Sequence, residues 1–464
     1  MERVAPAGPA WGLQGEVVEL TAGPWGNGGV CASRVPGEPV VLVSGAIPGE
    51  RLRVLITEAR RGFRMGAAVQ VLEASPDRVA PPWPEGAALG VTDLGHVAPA
   101  AARAAKAEVL AGLMRHEAQV DLDVPVEPVG DGGQLGWRTK IEFSVDQEGR
   151  VGMHGKGSGL VTPLASMPLA VPEIEALGLF GRRWPAGGRL TAVAPSDGEA
   201  FYLMEGRHGS PRRELVRVAG RDYSFELAAG GFWQLHRAAP ALLALEVLAA
   251  VGGSAPGAGS AADAGARSTD GGSAGGASAV SLGERSRECA AAAGAGALSA
   301  GERSSEGAGS GAAGARLDGM RVWDLYAGAG LFTLPLAAAG AQVTAVEGDP
   351  RAASDLRVNA RRAGLRLGGT HAADVGAALR RGIGGGRPHA VVLDPPRSGA
   401  TRDAVEAVAA VGPDRIVYVA CEPAALARDV ARLGAAGFGL TELRAWDLFP
   451  GTHHLEALAV LDGR

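Results

Sequence analysis

"RVWDLYAGAGLFTLPLAAAG" at residues 321–340, followed by "AQVTAVEGDP" at 341–350, decides the fold of this chain. An apolar strand runs into a glycine-rich turn and a helix, and the next strand ends in an acid. Strands alternating with helices predict a parallel, doubly wound α/β sheet. The spacing from Asp324 to Glu347 is close to the twenty or so residues that set a carboxylate on a ribose hydroxyl. Gly328 and Gly330 are followed by Leu331, Phe332 and Thr333, so the third glycine of the dinucleotide fingerprint is missing. A nicotinamide-dependent dehydrogenase would need it. A ligand with adenosine but no diphosphate fits better, and S-adenosylmethionine is the candidate.

Toward the C-terminus, "HAVVLDPPRSG" at 389–399 is a buried-type strand ending in Asp394, Pro395, Pro396 and Arg397. The strand Arg415–Ala420 runs out at Cys421, where "CEPAALARDV" opens a helix. Ligands of open α/β sheets sit beyond the carboxyl ends of the strands, so Asp394 and Cys421 are expected to share a crevice with Gly328 and Glu347. The two prolines present Asp394 rigidly. Taken alone, Asp394 also reads as a cap for the next helix and Cys421 as a small buried hydrophobe. "AWDLFPGTHHLEALAVL" at 445–461 carries His453, His454 and Glu456 in a turn between two strand-like runs. The adjacent histidines lack the i, i+4 spacing of a helical metal site and have no cysteine beside them, so no metal is expected.

Toward the N-terminus, four β-branched runs, "GEVVEL", "EPVVLVSG", "RLRVLITEA" and "GAAVQVLEA", suggest a small antiparallel barrel within residues 1–78. Its arginines, Arg51, Arg53, Arg60, Arg61 and Arg64, read equally as a track for a phosphate backbone and as a solvated edge that blocks strand aggregation. Residues 79–251 form a second strand-rich unit that opens with an amphipathic helix at 100–120. Its Trp137, Arg138 and Lys140 suit a nucleic-acid contact or the start of an ordinary strand. Residues 252–316 are nearly all Gly, Ala and Ser with a few charges, and are expected to be a disordered insert that holds Cys289 incidentally. The sheet-forming unit is then 317–464.

A length of 464 residues calls for two or three domains. Three scattered cysteines make no disulfide framework. No apolar run reaches the roughly 18 residues of a bilayer span, and the start lacks a signal core. These features point to a soluble, cytoplasmic protein without a membrane partner, expected as a monomer. A net charge of −5 does not announce a nucleic acid, so any RNA must be met by a local basic face.

"DLYAGAGLFTLPLA", "DPPRSG", "CEPAALARD" and "LFPGTHHLEALAVL", in this order and spacing, closely resemble the RNA uracil-C5 methyltransferase family, which makes 5-methyluridine in tRNA and 23S rRNA. "GGFWQLH" at 230–236 resembles the family's adenosylmethionine-binding segment, and "SGAIPGERLRV" at 44–54 resembles its N-terminal TRAM barrel. The resemblance implies a Rossmann-like methyltransferase domain behind a TRAM-like barrel and a central RNA-binding domain. It implies that Cys421 attacks C6 of uracil, that Glu456 removes the C5 proton, and that Asp394 orients the ring. Gln234, Tyr326, Gly328, Glu347 and Asp374 match the cofactor positions, with Glu347 on the ribose hydroxyls and Asp374 near the adenine amine. RNA is the implied partner, with the target base extruded from its stack.

Two departures stand out. Glu422 follows the cysteine where many members have Asn, and its charge is expected to disfavour the thiolate. His236 likewise replaces an Asn. The stretch "RVAPPWPEGAALGVTDLGHVAPAA", where some relatives bind an iron–sulfur cluster, has no cysteine, so no cluster is expected. The alternative readings are an RNA-binding protein on a methyltransferase fold with another base target or weak catalysis, and an amino-methylating enzyme, which would carry an aromatic where Arg397 stands.

Overall fold

The structure is a computed structural model of the chain. It describes residues 13–155, 158–205, 209–253 and 316–463. The insert read at 252–316, with Cys289, lies outside the described residues except for its end positions.

Strands β1 (Val17–Thr21), β2 (Trp25–Gly26), β3 (Val30–Ser33), β4 (Val40–Ser44), β5 (Arg51–Arg60) and β6 (Phe63–Glu73) form one sheet in the order β1-β5-β6-β4-β3-β2. Every second residue turns inward, so Val18, Leu20, Val41, Val43, Leu52, Val54 and Ile56 make its core. The sheet is not wholly antiparallel as expected. β4 pairs with β6 in parallel, because β5 intervenes in the chain and runs opposite to both.

Next come α1 (Pro84–Leu89), α2 (Pro99–Glu117) and β7 (Val126–Pro128). The helix expected at 100–120 is α2, and it buries Ala102, Ala105, Lys106, Leu110 and Met114 at helical spacing. A second sheet is built from β8 (Lys140–Val145), β9 (Val151–His154), β10 (Val161–Pro163), β11 (Arg189–Val193) and β12 (Phe201–Met204), with α3 (Pro172–Glu175) in between, in the order β10-β9-β8-β11-β12. The hairpin β13 (Arg212–Val218) and β14 (Arg221–Leu227) stands apart from it and, with α4 (Ala239–Val251), packs into the core of the large sheet.

The large sheet comprises β15 (Arg321–Leu325), β16 (Gln342–Glu347), β17 (Gly369–Ala372), β18 (Ala390–Leu393), β19 (Arg415–Ala420), β20 (Phe438–Asp447) and β21 (Glu456–Gly463). Interleaved with them are α5 (Thr333–Ala338), α6 (Pro350–Arg362), α7 (Val375–Arg380), α8 (Arg402–Val411) and α9 (Pro423–Ala435). The order is β17-β16-β15-β18-β19-β21-β20-β7, parallel from β17 to β19, with β21 antiparallel to both neighbours. Alternate residues feed opposite faces. Val322, Val392 and Val417 pack with α4 and α5, while Trp323, Val391 and Ile416 pack with α7, α8 and α9. This double cover explains why these strands read as continuous apolar runs. From β15 the chain proceeds to β16 on one side, while β18 lies on the other, so the strand order reverses between β15 and β18. A crevice opens at such a point.

Candidate active site

One cavity of about 800 Å³ lies at the carboxyl ends of the parallel strands, and all eight residues chosen from the sequence line it. Tyr326 and Gly328 follow β15, Glu347 ends β16, Asp374 follows β17, Asp394 follows β18 and Cys421 follows β19. Glu456 enters from the start of the antiparallel β21, and Gln234 from the loop between β14 and α4.

The turn after β15 is built for close approach. Tyr326 has φ of +65°, a left-handed conformation that costs a non-glycine residue on the order of 1–3 kcal/mol and clusters at functional sites. At Gly330, φ is +102° and an added Cβ would lie 2.8 Å from the Leu334 side chain, so only glycine fits. Glu347 locks the turn from the next strand. Its Oε2 accepts from the Gly328 N–H at 2.8 Å, and its Oε1 accepts from the Asp349 N–H at 2.7 Å. A carboxylate has about four lone-pair sites, so capacity for hydroxyl donors remains. Asp374 accepts from the Ala377 N–H at 2.8 Å and caps α7. The helix-cap role open for Asp394 falls to other residues, since α8 is capped by Thr401.

The segment behind Asp394 is pinned to the strand that carries Cys421. The Ala400 N–H donates to Asp429 at 2.9 Å and to the Tyr418 hydroxyl at 3.1 Å, and that hydroxyl donates to Asp429 at 2.7 Å. Gly399, with φ of +80°, passes so close that a Cβ would lie 2.4 Å from the Arg428 guanidinium. The loop after β18 is thereby tied to β19 and α9, the two elements that flank Cys421.

The electrostatics inside are those of crowded, desolvated acids. Burial pushes Asp394 up to about 7, with Asp324 and Glu347 adding to the rise. Asp324, buried within β15 and bonded to the Thr333 hydroxyl, is also raised to about 7, chiefly by burial. Glu456 is raised well above the usual carboxylate range by burial and then by Asp394, against the pull of Arg397. The Cys421 thiol is pushed up to about 12 by burial, then by Glu456 and Asp394, with Arg397 opposing. Glu422 has a different engagement, for its Oε1 accepts from Asn27 Nδ2 of the first sheet at 3.1 Å.

Phe449 forms part of the cavity wall and is held by a buried ion pair. Lys106 Nζ donates to Asp447 at 2.6 Å and to the Phe449 carbonyl at 3.2 Å. Behind it, Trp137 stacks on His236 at 5.9 Å, and His454 meets Phe449 edge-on at 5.9 Å. His453 pairs with Asp93, which places both adjacent histidines in packing and hydrogen bonding. Of the trio around residue 138, Trp137 is buried and Lys140 donates to the carbonyls of Gly230 and Gly231. Arg397 and Phe449 were not singled out as site residues from the sequence. Arg397 was visible in the Asp-Pro-Pro-Arg run, whereas nothing in "LFPG" marks an aromatic wall.

The fold defined by this sheet is that of a methyltransferase. Over 96% of this chain and 100% of the other, it superposes on the structure of the Pyrococcus abyssi tRNA (uracil-54, C5)-methyltransferase in complex with S-adenosyl-L-homocysteine, with a TM-score of 0.58 at 17% identity. Residues 387–464 match the family model of tRNA (uracil-5-)-methyltransferase. An RNA methyltransferase of Bifidobacterium longum is 31% identical over 93% of both chains. The 23S rRNA (uracil(1939)-C(5))-methyltransferase RlmD of Alkalilimnicola ehrlichii is 31% identical over 91% of this chain and 92% of that protein. The chain belongs to the RNA uracil-C5 methyltransferase family.

Proposed function

We propose that this enzyme methylates C5 of a uridine in 23S rRNA or tRNA through a covalent adduct between Cys421 and C6 of the ring. The observation that carries the reading is the convergence of a thiol and two carboxyl groups, Cys421, Glu456 and Asp394, on the cavity that also holds Gly328 and Glu347.

The cavity fits S-adenosylmethionine. A turn tolerating close approach and a carboxylate already fixed by two backbone N–H groups suit a ribose. The remaining lone pairs of the Asp374 cap suit an adenine amine, while Gln234 and Tyr326 close the sides. When bound, the cofactor supplies an electrophilic methyl group.

Uracil C5 is a weak nucleophile. The Cys421 thiol gives its proton to the ionised form of Asp394 as the sulfur adds to C6; the electron density moved onto C5 forms the bond to the methyl group, and the sulfur leaves as thiolate once the C5 proton is gone and the C5–C6 double bond re-forms. Glu456 is placed to take the C5 proton between those two events. Its raised proton affinity, caused by burial and the neighbouring Asp394, makes its ionised form a stronger base toward that proton. Asp394 is held protonated part of the time at neutral pH, so it can donate to a uracil carbonyl or accept from the ring N–H. The N-terminal sheet is the counterpart of a TRAM-like barrel over residues 1–78. The segment 79–251 is an RNA-facing central domain, and 317–464 is the catalytic domain. The test is nucleoside mass spectrometry of 23S rRNA and tRNA from a deletion strain, mapped by position. Loss of 5-methyluridine at one site is expected, and unchanged 5-methyluridine in both RNAs would rule out the reading.

A further inference from the structure

One wall of the cavity is made by residues 228–235, which connect β14 to α4 and carry Gln234. This wall is neither helix nor strand, and its adjacent Gly230 and Gly231 have more backbone freedom than any other residue type. Its own turn contributes the bond from the Gly231 N–H to the Ala228 carbonyl at 2.8 Å. The rest of the hold comes from outside the segment.

Two cations reach three consecutive carbonyls of this wall. Arg212, at the start of β13, donates through Nη1 to the Ala229 carbonyl at 2.7 Å and through Nη2 to the Gly231 carbonyl at 3.2 Å. Lys140, at the start of β8, donates through Nζ to the Gly230 carbonyl at 3.1 Å and to the same Gly231 carbonyl at 3.3 Å. Both lone pairs of the Gly231 oxygen are thus taken by cations from two different elements. Thr139, beside Lys140, closes the far end, where its N–H and its hydroxyl donate to the Leu235 carbonyl at 2.9 and 3.1 Å. From α6, Asp355 accepts from the Ala228 N–H at 3.0 Å. The Arg212 side chain is 2% exposed, and its Nε donates to Glu214 at 3.1 Å, so each guanidinium nitrogen has an acceptor. A buried charge is tolerated only when it is satisfied in this way. Hydrogen bonds from a charged donor are roughly twice as strong as neutral ones, which suits them to fixing a glycine turn.

We propose that Lys140 and Arg212 are positioning residues for adenosylmethionine, which hold the carbonyls of Ala229, Gly230 and Gly231 and so fix the wall that presents Gln234 to the cofactor. Neither side chain lines the cavity itself; both act through the backbone they grip. Read from the sequence, Lys140 suits a nucleic-acid contact or an ordinary strand, whereas its ammonium is committed to the cofactor wall. The inference rests on the RNA uracil-C5 methyltransferase reading above and deepens it.

Arg212→Met would leave Glu214 buried without its partner and endanger folding, so the test turns on the partly buried Lys140. Full-chain wild type, Lys140→Met and Lys140→Arg are titrated calorimetrically with S-adenosylhomocysteine. The same proteins are titrated with unmodified transcripts of 23S rRNA and tRNA across a salt series. Lys140→Met is expected to weaken S-adenosylhomocysteine about tenfold, the scale of a lost hydrogen bond from a charged group. Lys140→Arg keeps a cationic donor and should recover most of that loss. The slope of log RNA affinity against log salt should stay within about 0.5 of wild type in both variants. KM for adenosylmethionine should rise with the dissociation constant, while KM for RNA stays within about twofold. Unchanged S-adenosylhomocysteine affinity in Lys140→Met would overturn the proposal, as would an equal weakening of both ligands, which marks general loosening. A salt slope lower by about 0.9 would also overturn it and assign Lys140 to a phosphate. Nucleoside mass spectrometry on the same proteins separates the two claims. A wild-type enzyme that binds both ligands but makes no 5-methyluridine sinks the functional reading, whereas the variants' S-adenosylhomocysteine affinities judge the positioning role.

Discussion

On β5 of the first sheet, Arg51, Arg53 and Arg60 have side chains that are 52%, 50% and 59% exposed, and each meets a carboxylate within 3 Å. At the carboxyl ends of the large sheet, Asp324, Asp394 and Glu456 lie in or beneath the cavity, and none has an ion pair among the described residues. Exposed pairs are each worth about 0–1 kcal/mol and serve mainly to keep an edge soluble. Unpaired buried acids instead reduce stability and hold protons that water would remove. Groups poised in that way are where acid–base chemistry is carried out, so the contrast separates a surface from a site.

The strongest way to sharpen that contrast is to remove the reacting groups in order. Cys421→Ala is expected to lower methyl transfer by on the order of 10⁴-fold or more, the scale on which a lost nucleophile acts, while adenosylmethionine still binds. Glu456→Gln should transfer the methyl group and then stall, leaving the RNA attached to Cys421. On a denaturing gel that species is a slow band carrying label from the methyl donor, and the double variant should lack it. Full activity in Cys421→Ala would return the cysteine to core packing.

The next largest effect falls on stability, where the buried pair Lys106–Asp447 contrasts with the unpaired acids. The Lys106 and Asp447 side chains are 1% and 6% exposed. Lys106→Met leaves the carboxylate uncompensated and is expected to cost about 3–5 kcal/mol in urea unfolding. Replacing both, as Lys106→Met with Asp447→Leu, should recover most of that loss, since an apolar pair of similar volume is often neutral. If the double variant is no better than the single, packing rather than charge explains the loss.

Which of these features were legible beforehand follows from how local each one is. The strands ending at Asp394 and Cys421 could be read because a doubly covered parallel strand must be apolar on both sides. The convergence of their ends then followed from topology alone. The cap role of Asp374 is encoded locally, by an acid directly ahead of the helical run "VGAAL". Contacts such as Lys106–Asp447 and Asn27–Glu422 join residues 341 and 395 positions apart, and no local pattern encodes them. Glu422, whose charge is expected from the sequence to disfavour the thiolate, is instead engaged by Asn27. The carboxylates that raise Cys421 are Glu456 and Asp394, brought in by the tertiary fold.

A subtler probe of the same contrast is pH. The folded-state pKa of Asp394 is raised, from 3.8 to about 7. The folded protein therefore binds more protons than the unfolded chain between those values, and stability falls as pH rises through that window. The contribution is complete below about 4 and lost above about 7. Asp394→Asn should flatten the fall in Tm between pH 4 and 7 and converge with wild type at the acid end. Asp324, with the same shift, and Glu456, also raised, should supply the slope that remains, both being coupled to Asp394. An unaltered pH profile in the Asn variant would mean that Asp394 is already ionised in the folded protein.

The smallest expected effect is on the first sheet, and its smallness is what the comparison requires. Arg53 Nε lies 2.9 Å from Glu19, and its Nη1 lies 3.2 Å from the Gln70 side-chain oxygen, with half the side chain in water. Water screens the pair, and ordering two long side chains opposes what attraction remains, so Arg53→Ala should cost at most about 1 kcal/mol. The loss should shrink further near 1 M salt, where the Debye length is about 3 Å. The same pairing argues against these arginines as the RNA track, because a phosphate would have to displace Glu19, Glu58 and Glu73 from them. The triple variant Arg51→Ala, Arg53→Ala, Arg60→Ala should therefore leave the salt slope of RNA binding within about 0.5 of wild type, less than one lost phosphate contact. A drop of about 2–3 would show that RNA replaces the carboxylates on binding. The first sheet would then be a phosphate-binding surface instead of a neutralised edge.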